Sequence, residues 1–258
     1  MIEWYWALLF FVSLACNGRA AFKLLVDWKG MLTTCRLVED AHERLPALPD
    51  EAALDQDDRA PVFVHLVPAF QEPDIAGTLN ALLASRYPHG KLHVVVAVKE
   101  AEERAPHPAM GMSTGEVVRR FRDDLPPLYQ KMLTVVAAPG SGRKAHQLNW
   151  ALRPEFLRQL LGDYDPARVY VGCSDADSLP DRNIFRWLAA DVLATGGSRA
   201  YQGVTLSLAN FARLDVRGRT CAIQQSSIFI RVSIARLINE ARRVAWFARL
   251  TSRRPRLA

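Results

Sequence analysis

Cysteine is scarce in this sequence and is spread along the chain. The 258 residues contain four cysteines, Cys16, Cys35, Cys173 and Cys221, and no two of them form a Cys-x-x-Cys pair. That spacing excludes a disulfide framework and a cysteine-rich zinc site. A reducing cytosol is therefore the expected compartment.

The apolar run at the N-terminus is shorter than the ~20 residues that a membrane-spanning helix needs. It extends from Trp4 to Cys16 and begins with aromatic residues, as an interfacial belt does. We predict a membrane-spanning or interfacial helix over residues 1–28, with a buried core helix as the alternative. By the positive-inside rule, the cations after the run predict a chain held at the cell membrane with its remaining part on the cytoplasmic side. These cations are Arg19, Lys23, Lys29 and Arg36.

Acidic residues are few at the other end of the chain. From Phe211 onward there are eleven Arg against Asp215 and Glu240, which gives +9, so the rest must sum to −3 within the total of +6. Such an asymmetry indicates nucleic acid or an anionic membrane as partner, and the apolar N-terminus favours the membrane, with no nucleic acid. Residues 211–258 are predicted as a basic amphipathic helical segment at the membrane surface. A core helix with a solvated basic side is the alternative.

Between these ends, residues 29–60 are predicted as a linker, because Leu45 to Arg59 is acidic, punctuated by proline and without periodicity. Residues 61–210 are predicted as one α/β domain with a mostly parallel sheet and helices on both sides. The predicted strands are Pro61–Val67, Leu92–Val98, Met132–Ala137, Arg168–Cys173 and Tyr201–Leu208. The predicted helices are Asp74–Ser85, Gly115–Phe121, Arg143–Leu161 and Asn183–Ala194, with a loop from Lys99 to Thr114.

The fourth strand runs directly into two carboxylates, Asp175 and Asp177. In an extended chain residues at i and i+2 lie on the same side, and ligands of open parallel sheets bind outside the carboxyl ends of the strands. Two such carboxylates suit Mg²⁺ or Mn²⁺, with the remaining ligands supplied by phosphate and water. By itself the pattern is also typical of a solvated turn before a helix.

Two other strand ends carry matching groups. Pro68-Ala-Phe70-Gln-Glu72 follows the first strand with an aromatic ring and a carboxylate available to a base or ribose. Gly140-Ser-Gly-Arg-Lys144 places flexible backbone and two cations at the start of a helix, where a diphosphate is favoured. It is not a P-loop, because Ala145 follows Lys144.

The order of these motifs resembles the family 2 glycosyltransferases with the GT-A fold, particularly the processive, membrane-bound type related to cellulose and hyaluronan synthases. The resemblance covers about Val62 to Ile238. Pro68-Ala-Phe-Gln-Glu72 is similar to the family's Pro-Ala-Tyr-Asn-Glu, and Leu82-Leu-Ala-Ser-Arg-Tyr-Pro88 to its Leu-x-x-Gln-x-Tyr-Pro. Gly142-Arg-Lys-Ala-His-Gln-Leu-Asn149 resembles its Gly-Lys-Ala-x-Ala-Leu-Asn, and Asp175-Ala-Asp177 its Asp-x-Asp.

This resemblance implies a donor site for a nucleotide-diphosphate sugar, with a UDP-sugar as the expected donor. Pro68, Phe70 and Glu72 would line the nucleoside pocket, and Lys144 would neutralise phosphate. Asp175 would contact the nucleotide sugar, and Asp177 would bind the metal.

The sequence departs from the family in two places. At the second strand Val96-Ala-Val-Lys99-Glu100 stands where the family has Asp-Asp, which leaves the nucleotide base open. Beyond Asp177 the family's acidic base motif, its Gln-x-x-Arg-Trp motif and its further transmembrane helices are missing. We therefore expect a chain truncated after the donor-binding half, with a second chain supplying the acceptor half.

Two alternatives stay open at this point. The first is a non-catalytic, membrane-bound module, which the missing base motif favours and the Asp pair with Lys144 disfavours. The second is a sugar-phosphate nucleotidyltransferase. That enzyme needs a Gly-rich cationic loop after the first strand, and Pro68-Ala-Phe-Gln-Glu72 contains neither feature.

Overall fold

The structure, a computed structural model, describes residues 10–19, 21–22, 28, 32, 36, 39–40, 43, 47–104, 111–140, 142–197, 201 and 215–217. The chain divides into two units, Ala47–Arg199 and a unit built from both chain ends, Met1–Pro46 with Ala200–Ala258. All of the elements named below belong to the first unit.

A parallel four-stranded sheet forms the centre of this unit. Its strands are β1 (Val62–Pro68), β2 (Leu92–Lys99), β3 (Leu133–Ala138) and β4 (Val169–Cys173), in the order β3-β2-β1-β4. In the register, Phe63 of β1 lies opposite Leu92 of β2 and Tyr170 of β4. The prediction of a parallel α/β sheet is confirmed, since each of these four strands begins and ends within one residue of its predicted bounds.

Helices cover both faces of the sheet. They are α1 (Glu51–Gln56), α2 (Ile75–Leu83), α3 (Glu100–Arg104), α4 (Thr114–Asp123), α5 (Pro127–Met132), α6 (Lys144–Ala151), α7 (Pro154–Leu161) and α8 (Ile184–Thr195). Short 3-10 turns at His89–Lys91 and Pro166–Arg168 precede β2 and β4.

Alternate residues of the strands enter two separate apolar clusters, as the pleat of a strand requires. Phe63 and Val67 of β1 pack in one cluster with residues of α2, α4 and α8. Val64 and Leu66 pack in the other, against α6 and α7. Because both faces are buried, the strands are nearly continuous apolar runs in the sequence.

Three local predictions are wrong. The single helix over Arg143–Leu161 is two helices, because Pro154 lacks the N–H that a continuous helix needs and begins α7 instead. The predicted loop after Lys99 begins with α3, whose Glu102 is buried. The predicted linker contains α1, whose Leu54 is 1% exposed and packs in the core.

A buried lysine explains why α1 docks on the domain. The ammonium of Lys91, just before β2, donates to the carbonyls of Leu54 at 2.7 Å and of Asp55 and Asp57 at 2.9 Å each. The C-terminal carbonyls of a helix have no partner within the helix, so a cation there satisfies several of them at once.

The predicted terminal segments lie largely outside the described residues. Residues 10–19 are helical, and Phe10 and Phe11 there are exposed. Within the described part of the chain, no helix has both the length and the apolar character needed to cross a bilayer. The rest of the predicted helix over 1–28, most of the strand Tyr201–Leu208 and nearly all of 211–258 fall on residues that are not described. The predicted bounds of these terminal segments therefore stay predictions.

Candidate functional site

The strand order places a crevice between β1 and β4. The chain passes from β1 outward to β2 and β3, then returns to the other side of β1 to form β4. In open α/β sheets ligands bind at such a switch point, outside the carboxyl ends of the strands. A cleft of about 300 Å³ lies there, lined by Pro68, Ala69, Phe70, Glu72, Lys99, Lys144, Gln147, Asp175, Ala176 and Asp177.

All six residues predicted from the sequence line this one cleft. Pro68 ends β1, Phe70 and Glu72 follow it, two residues follow β4, and Lys144 begins α6 after β3. They come from segments separated by up to about a hundred residues and meet because parallel strands all end at the same edge.

The turn that carries the two aspartates is fixed through the alanine between them. Ala176 is 4% exposed and packs in the core, and its carbonyl accepts a hydrogen bond from Thr78 Oγ1 of α2 at 2.6 Å. Asp175 and Asp177 on either side are exposed. Burial of the alanine therefore turns both carboxylates toward solvent and the cleft.

Lys144 pairs directly with Asp175, Nζ donating to Oδ1. That hydrogen bond is the main reason why the pKa of Lys144 is raised, with the charges of Asp175 and Asp177 adding to the effect. Half of the Lys144 side chain and 66% of that of Asp175 remain exposed. An exposed pair of this kind contributes little to stability, so both groups can exchange partners when a charged ligand arrives.

One turn further along α6, Gln147 ties this helix to the sheet. Its Nε2 donates to the carbonyls of Ala69 and Ala97, each at 2.9 Å, and the side chain is buried. Nothing in the sequence indicates this role of Gln147, since a glutamine inside a helix carries no signal of it. These two bonds fix the position of α6 against the ends of β1 and β2, and so the position of Lys144 at the cleft.

A second lysine, Lys99 at the end of β2, also lines the cleft. Its Nζ lies 3.8 Å from the centroid of the Phe70 ring, an aromatic ring that is 42% exposed. A cation over a ring face at this distance is attracted by the ring quadrupole. Lys99 occupies the position where the resemblance expects aspartate. Of the two cations predicted at the start of α6, Lys144 lines the cleft and Arg143 does not, and Lys99 supplies a second ammonium group.

Glu72 completes the acidic side. Burial raises the pKa of its carboxyl, and the negative charges of Asp177 and Asp175 raise it further, followed by smaller effects of Glu102 and Asp74. The carboxyls that face this part of the cleft therefore repel one another. A cation placed among them would relieve that repulsion.

The residues present fit a divalent cation that is shared with a ligand. Among the described residues, no three His, Cys, Asp or Glu side chains come together as a metal-binding group. Asp175 and Asp177 can supply two carboxylates, and Mg²⁺ commonly takes one or two carboxylates and completes its shell with phosphate oxygens and water. The cleft is thus suited to a metal that arrives with a diphosphate.

Comparison with known proteins yields one structural likeness. No protein-family model matches the sequence, and no curated protein matches it. The crystal structure of S. aureus TarS 1–349 is similar over 56% of this chain and 39% of that chain, with 16% sequence identity and a TM-score of 0.33. The likeness spans about two fifths of that chain.

Proposed function

We propose that this chain binds a nucleotide-diphosphate sugar in the cleft and acts as a family 2 glycosyltransferase with a GT-A fold. The observation that carries the proposal is the convergence of the six predicted donor-site residues on one cleft at the switch point of a parallel sheet. Together, an aromatic ring, two ammonium groups and three carboxylates suit the nucleoside, the diphosphate and the cation of such a donor.

Lys144 supports the handling of the diphosphate. In the donor complex its ammonium leaves Asp175 and donates to a phosphate oxygen. There it neutralises the negative charge that grows on the diphosphate as the bond to the sugar breaks. Fixed charges directed at developing charge are commonly the largest contribution to catalysis. The position of Lys144 at the start of α6 adds the favourable dipole of a helix N-terminus.

Asp175 and Asp177 would hold Mg²⁺ or Mn²⁺, which supplies a Lewis acid for the departing diphosphate. Asp175 is released for this role when Lys144 turns to phosphate. Among the described residues, the Asp177 side chain makes no hydrogen bond or ion pair that would compete with a cation.

The nucleoside is assigned to the β1 side of the cleft. Phe70 offers a partly exposed ring to the base, Pro68 lines the pocket beside it, and the Glu72 carboxylate can accept from ribose hydroxyls. Lys99 has only donors, so it favours a base with carbonyl oxygens at its edge, as uracil has. A UDP-sugar is the proposed donor.

The acceptor side needs a carboxylate to take the proton of the acceptor hydroxyl. Asp181, the first carboxylate after the Asp pair, accepts the Asn183 N–H at 2.8 Å before α8, which is a structural role. We assign the acceptor half to a second chain or to residues outside those described. The apolar N-terminus and the basic C-terminal part support the proposal that the work is done at the cytoplasmic face of the cell membrane.

Release of nucleotide from sugar donors tests the proposed activity. Purified chain is incubated with UDP-glucose, UDP-N-acetylglucosamine or GDP-mannose and Mn²⁺, and free UDP or GDP is measured over time. We expect slow release, in which water takes the sugar in place of the absent acceptor, by the wild type and by Asp58→Ala, an exposed aspartate before β1 at the opposite end of the sheet. No release is expected from Asp177→Ala. Binding of donor without release by any of the three proteins would favour the non-catalytic module.

A further inference from the structure

A buried carboxylate lies beneath the segment that follows β1. Glu102 of α3 is 1% exposed. Its Oε1 accepts hydrogen bonds from Gln71 N at 3.2 Å, from Thr114 N at 2.8 Å and from Thr114 Oγ1 at 2.5 Å. Its Oε2 is buried too and has no hydrogen-bond partner among the described residues.

Thr114 passes this contact on to Glu72. Its hydroxyl donates to Glu102 and accepts from Glu72 N at 3.1 Å. One carboxylate therefore fixes two successive peptide groups, those of Gln71 and Glu72. Gln71 lies between Phe70 and Glu72, the two residues after β1 whose side chains line the cleft.

The segment needs such support because its backbone is unfavourable. Gln71 has φ of 57°, in the left-handed region that residues other than glycine rarely adopt. A residue in that region persists where its surroundings hold it. Glu102 and Thr114 supply that hold, and the turn at Gln71 lets the side chains before and after it both reach the cleft.

A buried carboxylate is a costly way to stabilise a fold, since apolar residues of similar volume often do as well or better. We propose that Glu102 and Thr114 are positioning residues of the donor site, holding Phe70 and Glu72 where the nucleoside binds. This inference rests on the proposed function.

Helices α3 and α4, which carry Glu102 and Thr114, also provide a matched control. Glu103, next to Glu102, accepts from Ser113 Oγ at 3.0 Å and from Arg119 Nη2 at 2.8 Å. It thus joins α3 to the start of α4 as Glu102 does, and neither of these two bonds reaches residues 70–72. Loss of the Glu103 bonds should weaken the contact between α3 and α4. The hydrogen bonds that Glu102 and Thr114 make to Gln71 and Glu72 should remain.

The test measures nucleotide affinity in the full chain by calorimetry with UDP and Mn²⁺, after thermal unfolding has shown that each variant folds. Thr114→Val keeps the shape and removes the hydroxyl, and we expect about tenfold weaker binding, the loss of one hydrogen bond to a charged group. Thr114→Ser keeps the hydroxyl and is expected to bind within about twofold of wild type, as is Glu103→Gln. Glu102→Gln keeps the accepting oxygen without the charge and should show a smaller loss in the same direction as Thr114→Val.

A double-mutant cycle separates positioning from general destabilisation. In a Glu72→Gln background, where the carboxylate is already absent, Thr114→Val should cost less than about twofold, because coupled residues are not additive. An equal loss in both backgrounds, or wild-type affinity of Thr114→Val, would overturn the positioning role and leave the proposed function standing. Failure of the wild type itself to bind UDP or GDP would overturn both. If Thr114→Val does not fold, Glu102→Gln takes its place in the cycle.

Discussion

Lysine has opposite roles at the two ends of the sheet, buried and fully bonded at one end and exposed at the other. At the amino ends, Lys91 is 9% exposed and its ammonium is occupied by three backbone carbonyls of the α1 segment. Nearby, Arg168 donates to the carbonyl of Ala60 at 3.1 Å. At the carboxyl ends, Lys144 is half exposed and has one partner, Asp175, which is exposed as well.

The difference teaches which charges serve the fold and which remain for a ligand. A lysine has three donors, and Lys91 uses all of them on fixed protein groups. Lys144 uses one donor on Asp175 and keeps donors that bond to no other described residue and that a phosphate can take. Removal of each lysine should therefore act on a different property of the protein.

The largest effect is expected for Lys91→Met. The substitution leaves three carbonyls without their donor, so the free energy of unfolding should fall by about 3 kcal/mol. Urea unfolding followed by circular dichroism measures this, and nucleotide affinity below the transition should be unchanged. A stability equal to wild type would show that the amino ends are not held in this way.

Acid is expected to lower the free energy of unfolding by a similar amount, through a histidine in the middle of β1. Burial lowers the pKa of His65 in β1 from 6.5 to about 4. As the pH falls, the His65 imidazole is therefore protonated in the unfolded chain before it is protonated in the folded one. The free energy of unfolding has its full value above pH 6.5 and falls by about 3 kcal/mol as the pH drops toward 4. Unfolding of the wild type and of His65→Gln at pH 7.5 and 4.5 checks this. The wild type should lose more stability than the variant, and equal losses would exclude His65 as the cause.

Lys144→Met sharpens the comparison from the other end. We expect nucleotide-diphosphate affinity to drop about 10- to 100-fold, the value of hydrogen bonds to a charged group. The melting temperature should change little, because the pair with Asp175 is exposed. Calorimetry with UDP and a thermal scan measure the two properties. A large loss of stability with intact binding would reverse the assignment of the two lysines.

The smallest effect is expected beneath the Asp pair, at Gly172. A Cβ at this position would lie 2.8 Å from Nδ1 of the buried His65 ring, too close without a shift. Gly172→Ala should lower stability by about 1–2 kcal/mol. Gly90→Ala is the control, since a Cβ there meets nothing within 4 Å. Equal unfolding midpoints for the two variants would show that the strand gives way freely.

The sheet and the carboxyl-end cleft could be predicted because their signals lie in contiguous sequence. A strand buried on both faces is an apolar run, and the residues that follow such a run must lie at the same edge of a parallel sheet. Asp175 and Asp177 could thus be placed near Phe70 and Lys144 from strand ends alone.

The supporting residues could not be predicted because their roles depend on long-range burial. Glu102 and Lys91 resemble exposed surface residues in the sequence, and only the packing of α3 and α1 buries them. In the sequence Lys99 is visible only as a departure from the motif that the chain resembles, and its place over Phe70 follows from the β1–β2 register. Pro154 could have revealed the break between α6 and α7, since proline favours the first turn of a helix.

The most direct test of the donor site is calorimetric binding of UDP and GDP to the purified chain, with and without Mn²⁺. Wild type, Asp177→Ala and the control Asp58→Ala are compared. We predict binding that requires Mn²⁺, is retained by Asp58→Ala and is abolished by Asp177→Ala. Absence of binding by the wild type to either nucleotide, under every metal condition, would contradict the assignment of this cleft as a donor site.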